Sequence, residues 1–194
     1  LGSTILTILL GLLLLVFIYI EILESKNRKK MYQLAYIDQL TGLGNFEKMK
    51  LDEKVILKEN KKKYILAVVD IDKLKSINDT KGHKAGDKAI SEIGTFIADS
   101  LRKRDIAVRY GGDEFAFILP ETGKEGAMIF AARLMEAVRK FFVDGLTAEG
   151  NLITEPVTLC VGGVSFPQGG EDETVLLQKA DQALLSVKKE KNKS

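Results

Sequence analysis

Acidic residues gathered at the ends of apolar segments carry the chemistry in this sequence. Asp70 and Asp72 close the apolar run YILAVVD, and Asp113 and Glu114 follow a glycine pair between two further apolar runs. Either cluster alone reads as turn chemistry. Brought together without a basic partner, the carboxylates would repel one another. A hard divalent cation such as Mg²⁺, bound through oxygen and bridging to phosphates, is the usual compensation. Lys73 and Lys75 follow within one turn, where an ammonium could neutralise charge in a phosphoryl-transfer transition state, although most lysines are simply exposed. Asn78 and Asp87 could hydrogen-bond a purine, and a carboxylate accepts well from the paired N–H donors of guanine. From chemistry alone the expectation is a Mg²⁺-dependent nucleotidyl transferase or cyclase.

Other chemistries are excluded. With one cysteine, Cys160, and one histidine, His83, there is neither a disulfide framework nor a Cys/His zinc site. The chain has no G-x-x-x-x-G-K-[ST] loop, no G-x-G-x-x-G turn opening a helix and no G-x-S-x-G elbow. With 29 Lys+Arg against 27 Asp+Glu, its 194 residues are close to neutral, which argues against a nucleic-acid coat.

The elements that must position these residues alternate. Helices are expected over Asn45–Glu59, Lys84–Leu101, Gly123–Phe142 and Glu173–Lys189. Strands are expected over Tyr64–Asp70, Ile106–Tyr110, Glu114–Leu119 and Pro156–Gly163, the middle pair forming a hairpin through Gly111–Gly112–Asp113. The fold class is α/β (α+β): one mixed sheet of about five strands flanked by helices.

All charged residues lie beyond residue 20, and the uncharged run Ser3–Ile20 makes a helix of roughly 27 Å, enough to cross a bilayer core of about 30 Å. A signal peptide is disfavoured because no basic stretch precedes the run and no A-x-A site follows it. Lys26, Arg28, Lys29 and Lys30 mark the cytoplasmic side. The expected division is a transmembrane helix over 1–23, a juxtamembrane helix over 24–36 and a soluble domain over 37–194. Ile20, Leu23, Asn27, Met31 and Leu34 approximate a heptad stripe, consistent with either a dimeric signalling helix or a solvated linker.

Four motifs in order then become recognisable: DQLTGLGN at Asp38–Asn45, DIDKLKSINDTKGHKAGD at Asp70–Asp87, RYGGDEF at Arg109–Phe115 and ADQAL at Ala180–Leu184. They resemble the GGDEF family, the diguanylate cyclases, over about residues 36–194. The resemblance implies a nucleotide-cyclase fold related to the polymerase palm. It implies two GTP molecules facing each other across a homodimer and condensing to cyclic di-GMP. With the apolar run and its basic flank, the expectation is a bacterial inner-membrane protein with a cytoplasmic catalytic domain, and the near-neutral charge argues for no nucleic-acid partner. By matching position, Asp70, the Ile71 carbonyl and Asp113 would hold Mg²⁺ (or Mn²⁺). Asp113 or Glu114 would help deprotonate the 3′-hydroxyl, and Lys75 would stabilise phosphate charge. Asn78 and Asp87 would read guanine, with His83 and Leu74 beside the nucleotide, and Gly111, Gly112 and Lys188 would meet the phosphates. RKRD at Arg102–Asp105 matches the product-inhibition motif R-x-x-D, so Arg102, Asp105 and Arg133 would bind cyclic di-GMP. The alternative account of that stretch is a charged helix end, and the motif spacing favours the inhibitory site.

The sequence also departs from the family pattern. Leu74 replaces Phe, Leu185 replaces Tyr, and Phe46 replaces an arginine whose ion pair is then expected to be missing. The end, KKEKNKS, lacks the family's glycine and arginine, and Lys191 or Lys193 are the candidates to replace that second phosphate contact. The alternative to an active cyclase is a GGDEF domain that only binds GTP or cyclic di-GMP.

Overall fold

The structure is a computed structural model that describes residues 2–58, 63–140, 157–167 and 173–191. In chain order the elements are α1 (Gly2–Tyr36), β1 (Gly44–Asn45), α2 (Phe46–Lys58), β2 (Tyr64–Ile71), α3 (Leu74–Lys81), α4 (His83–Ser100), β3 (Ile106–Arg109), β4 (Glu114–Pro120), α5 (Lys124–Lys140), β5 (Leu159–Phe166) and α6 (Glu173–Lys191). The strands form one mixed sheet in the order β1-β3-β4-β2-β5. Only β1 with β3 is parallel; the other neighbours are antiparallel.

β2 is the centre. All eight of its residues are buried, as a strand covered on both faces requires. Its side chains alternate between two cores. Ile65, Ala67, Val69 and Ile71 join Phe115, Phe117 and Leu119 of β4 against α3, α4 and α5. Tyr64, Leu66 and Val68 join Ala116, Ile118, Cys160 and the apolar face of α6 (Leu176, Leu177, Ala180, Leu184). By the same period of two, Asp70 and Asp72 point to the α6 face, and so does Glu114.

Besides β1, a two-residue strand at Gly44–Asn45 where the sequence places none, two elements differ from the sequence expectation. The last strand is Leu159–Phe166 rather than Pro156–Gly163, so Gly162 and Gly163 lie inside it instead of ending it. The reason is packing. A Cβ on Gly162 would lie 2.3 Å from the Leu184 nitrogen and 2.4 Å from the Ala180 oxygen, so α6 crosses directly over a bare backbone. The second difference is α3, a short helix burying Leu74 and Ile77 that the motif reading passed over. Pro156, Glu59 and the expected end of α5 at Phe142 lie outside the described residues. α1 runs unbroken through both of the expected N-terminal segments and is long and apolar enough to cross a membrane, with a mean hydropathy of 2.8 in its most apolar window.

Candidate active site

The register of β2 with β4 sets Asp70 directly opposite Glu114 on the α6 face. Beyond that pair the hairpin tip turns back onto β2, and the Ile71 N–H donates to the Asp113 carbonyl at 3.1 Å. Asp70, Ile71 and Asp113 are thereby joined at one end of the sheet. Lys73, at φ 62, takes the left-handed conformation that swings the chain from β2 into α3. The resulting cleft is lined by Asp70, Asp72, Leu74, Lys75, Asp113, Lys188 and Lys191.

At the first glycine of the tip a methyl group would meet only the movable end of the Glu114 side chain. A Cβ on Gly111 would come within 2.7 Å of Glu114 Oε2, whereas one on Gly112 would meet open space. The tip is closed by bonds from the Tyr110 and Gly111 N–H groups to the Glu114 carbonyl.

Crowded carboxylates shape the electrostatics of this strand end. Burial pushes the Asp70 carboxyl above its ordinary value; Lys188 offsets this in part, and Asp113 and Asp72 add to the rise. Burial, then Asp70 and Asp113, push Glu114 up likewise. Lys188 Nζ sits 2.6 Å from Asp70 Oδ2. Burial disfavours its ammonium, but Asp70, Asp113 and Glu114 outweigh that and hold its pKa above the ordinary value. Lys188 is the ammonium in contact with Asp70, and Lys73, Lys75 and Lys191 also line the cleft. Asp70, Asp113 and the Ile71 backbone are the donors that fit a hard divalent ion. Among the described residues no group of three or more His, Cys, Asp or Glu side chains converges tightly enough to hold a metal alone.

The base-reading candidates sit apart from this cleft, at the α3–α4 corner made by Gly82 (φ 85). Asn78 packs against the bare backbone of Gly86, where a Cβ would lie 1.9 Å from Asn78 Oδ1. That oxygen is buried and has no hydrogen-bond partner among the described residues. His83 and Asp87 are exposed on the first turns of α4, and Lys75 is exposed on α3. Arg102, Asp105 and Arg133 come together around a separate small pocket with Phe130 and Thr122. There Asp105 Oδ2 accepts from the Arg102 N–H at 2.8 Å, and Arg133 donates to the Ser100 carbonyl at 2.8 Å.

Two groupings escaped the sequence reading. Lys191 does not stand free for phosphate: its ammonium lies 2.5 Å from Asp72 Oδ2 and 2.8 Å from Thr158 Oγ1. Asp72 also accepts from Thr158 Oγ1 at 2.8 Å and from the Cys160 thiol at 3.2 Å. Burial works against its charge, but these donors win and hold its carboxyl below the ordinary value. Burial and Asp72 push the Cys160 thiol up to about 11, leaving it inert. The spacing of Asp72 two residues after Asp70 was visible; the β5 and α6 partners were not. Lys193 lies outside the described residues. Secondly, Asp38 has an ion-pair partner on a distant strand. It pairs with Arg109 at 3.2 Å, while Phe46 packs edge-on against Tyr110 at 5.2 Å.

A mixed sheet with a glycine-tipped acidic hairpin beside an acidic strand end defines a nucleotide-cyclase type of domain. Residues 35–194 match the family described as diguanylate cyclase, GGDEF domain, and the chain belongs to that family. It is 34% identical over 163 residues to the diguanylate cyclase DgcP of Pseudomonas aeruginosa, covering 81% of this chain and 23% of that protein. It is 34% identical over 164 residues to the response regulator PleD of Caulobacter vibrioides, covering 80% of this chain and 34% of that protein. The chain thus spans about a third or less of these two relatives. Among solved structures it is similar to the coiled coil and GGDEF domain of DgcB from Caulobacter crescentus in complex with c-di-GMP. There the TM-score is 0.76 and the identity 26%, covering 90% of this chain and 92% of that one.

Proposed function

We propose that the chain is a diguanylate cyclase, condensing two GTP into cyclic di-GMP with release of two pyrophosphates. The observation that carries this is the meeting of Asp70, Glu114 and Asp113 at one sheet end beside Lys188. Each 3′-oxygen forms a bond to the α-phosphorus of the facing GTP, the bond to the β-phosphate bridge breaks, and the 3′-proton leaves toward a carboxylate. Asp113 and Glu114 are the acceptors available for that proton, and burial has already raised the affinity of Glu114 for it. Asp70, Asp113 and the Ile71 carbonyl would hold Mg²⁺ or Mn²⁺, which when bound supplies Lewis acidity at the phosphate oxygens. Lys75 and Lys188 add charge that follows the phosphates. Asn78, with its unpartnered amide oxygen, and Asp87 would read guanine, with His83 and Leu74 beside it. One domain offers one such site, so a homodimer is required.

The proposed setting is the inner membrane, crossed by the first part of α1, with the domain in the cytoplasm. Residues 24–36 would link the two as a signalling helix. Arg102, Asp105 and Arg133 would bind the product and inhibit. That pocket, together with the engagement of Lys191 by Asp72, favours as a second reading a domain that binds cyclic di-GMP without turnover. The test is the full chain in detergent micelles with GTP and Mg²⁺, followed by chromatography. Cyclic di-GMP that disappears in Asp113→Ala supports the cyclase. Confirmed dimers that bind GTP and yield none support the receptor.

A further inference from the structure

We propose that Arg109 is a positioning residue that ties the end of α1 to the signature hairpin, so that movement of α1 is felt at Asp113. Arg109 ends β3, and its guanidinium bonds in two directions. Nε and Nη2 donate to the Gly112 carbonyl at 3.3 and 2.8 Å. Nη1 donates to Asp38 Oδ2 and Oδ1 at 3.2 and 3.4 Å. Gly112 immediately precedes Asp113, whose carbonyl holds Ile71. Asp38 lies two residues beyond the last residue of α1.

Neither end of this link is loose. Asp38 Oδ1 accepts from the Thr41 N–H at 3.0 Å and its hydroxyl at 2.8 Å, and the Asp38 N–H donates to the Leu43 carbonyl at 2.9 Å. Thr41 in turn lies against Gly94, where a Cβ would come within 2.6 Å of Thr41 Cβ. The Arg109 and Asp38 side chains are only 18% and 21% exposed, so water does little to soften their pairing. A second tie from α1 reaches the same strand end. Asn45 Nδ2 donates to the Ala35 carbonyl of the last helical turn at 2.9 Å, and Asn45 is the ladder partner of Arg109. A planar guanidinium can hold both acceptors in fixed relation, whereas an ammonium offers only a point charge. Rotation or tilt of α1 therefore moves Asp38 and Asn45 together, and Arg109 carries that shift to the Gly112 carbonyl.

The consequence for turnover rests on the cyclase reading, but the coupling can be read without it. Amide hydrogen exchange would be followed on the full chain in detergent micelles for the wild type, Asp38→Asn, Arg109→Lys and Arg109→Gln. Asp38→Asn keeps the shape of the side chain and touches nothing in the hairpin. It is nevertheless expected to speed exchange across residues 110–116 by about tenfold, with β2 unchanged apart from its end at Ile71, whose N–H bonds the Asp113 carbonyl. Arg109→Gln should do the same there and at residues 38–43, and Arg109→Lys should not restore the hairpin. In turnover, each should lower kcat on the order of tenfold while KM for GTP stays within about twofold. Unchanged exchange at 110–116 in Asp38→Asn would overturn the proposal. So would an equal rise in β2, which would make the pair a brace of the whole domain. A wild type that forms no cyclic di-GMP would sink the cyclase reading and leave the exchange result to decide this one.

Discussion

Gly162→Ala places a methyl group where α6 crosses β5. The new Cβ would lie 2.3 Å from the Leu184 nitrogen, 2.4 Å from the Ala180 oxygen and 2.8 Å from Leu184 Cα. Ordinary contacts need about 3.4 Å or more, so the helix must rise by roughly 1 Å. All three neighbours are backbone atoms, and no rotamer change relieves them. Overpacking costs about 1–3 kcal/mol, and this geometry belongs at the upper end, about 3 kcal/mol. That is a large share of the ~5–15 kcal/mol that holds a domain folded. The same displacement would part Lys188 from Asp70 and Lys191 from Asp72, now 2.6 and 2.5 Å apart. A 1 Å misplacement near reacting groups can cost on the order of 100-fold in rate. Gly163→Ala is the control: its Cβ would meet nothing nearer than 3.5 Å. Relief of glycine's backbone freedom makes that change neutral or stabilising by up to about 0.5–1 kcal/mol. Urea unfolding of the full chain in micelles, followed by circular dichroism, gives both values, and GTP turnover gives the second effect. Equal losses in the two variants would refute the argument that α6 rests on bare backbone at Gly162.

Gly86→Ala should push Asn78 aside, raising KM for GTP by roughly tenfold with kcat nearly unchanged, as loss of one or two base contacts would do; steady-state kinetics reads this. Asp72→Asn and Lys191→Met should each cost about 0.5–1 kcal/mol, discounted because Lys191 is half in water, and their effects should fall short of additive in a double-mutant cycle. Tyr64→Phe removes the phenol that donates to Glu53 Oε1 at 2.6 Å, where Glu53 is 1% exposed, and should lower unfolding free energy by about 2 kcal/mol.

What could be read from the sequence follows from which signals are local. The YILAVVD run announced β2 because a strand buried on both faces has no polar residue to hide. The acidic tip followed from its glycines. The two glycines of β5 misled, since glycine commonly ends a strand and the helix that makes it necessary lies in a distant stretch of chain. The eight-residue α3 carries only Leu74 and Ile77 as buried residues, too few for a period to emerge. Asp72 and Lys191 are 119 positions apart, and Asp38 and Arg109 are 71 apart. Such pairings are products of topology, which no window of sequence contains.

The length of α1 has a consequence for the solution around the catalytic face. Residues 24–36 extend the helix by roughly 20 Å past the proposed span. The negative potential of a lipid surface decays over a Debye length of about 8 Å at physiological ionic strength. The base of the domain therefore stands more than two decay lengths out. GTP, a polyanion, would approach it with no toll from anionic headgroups, and the lipid charge of the leaflet and the supply of substrate would be independent variables.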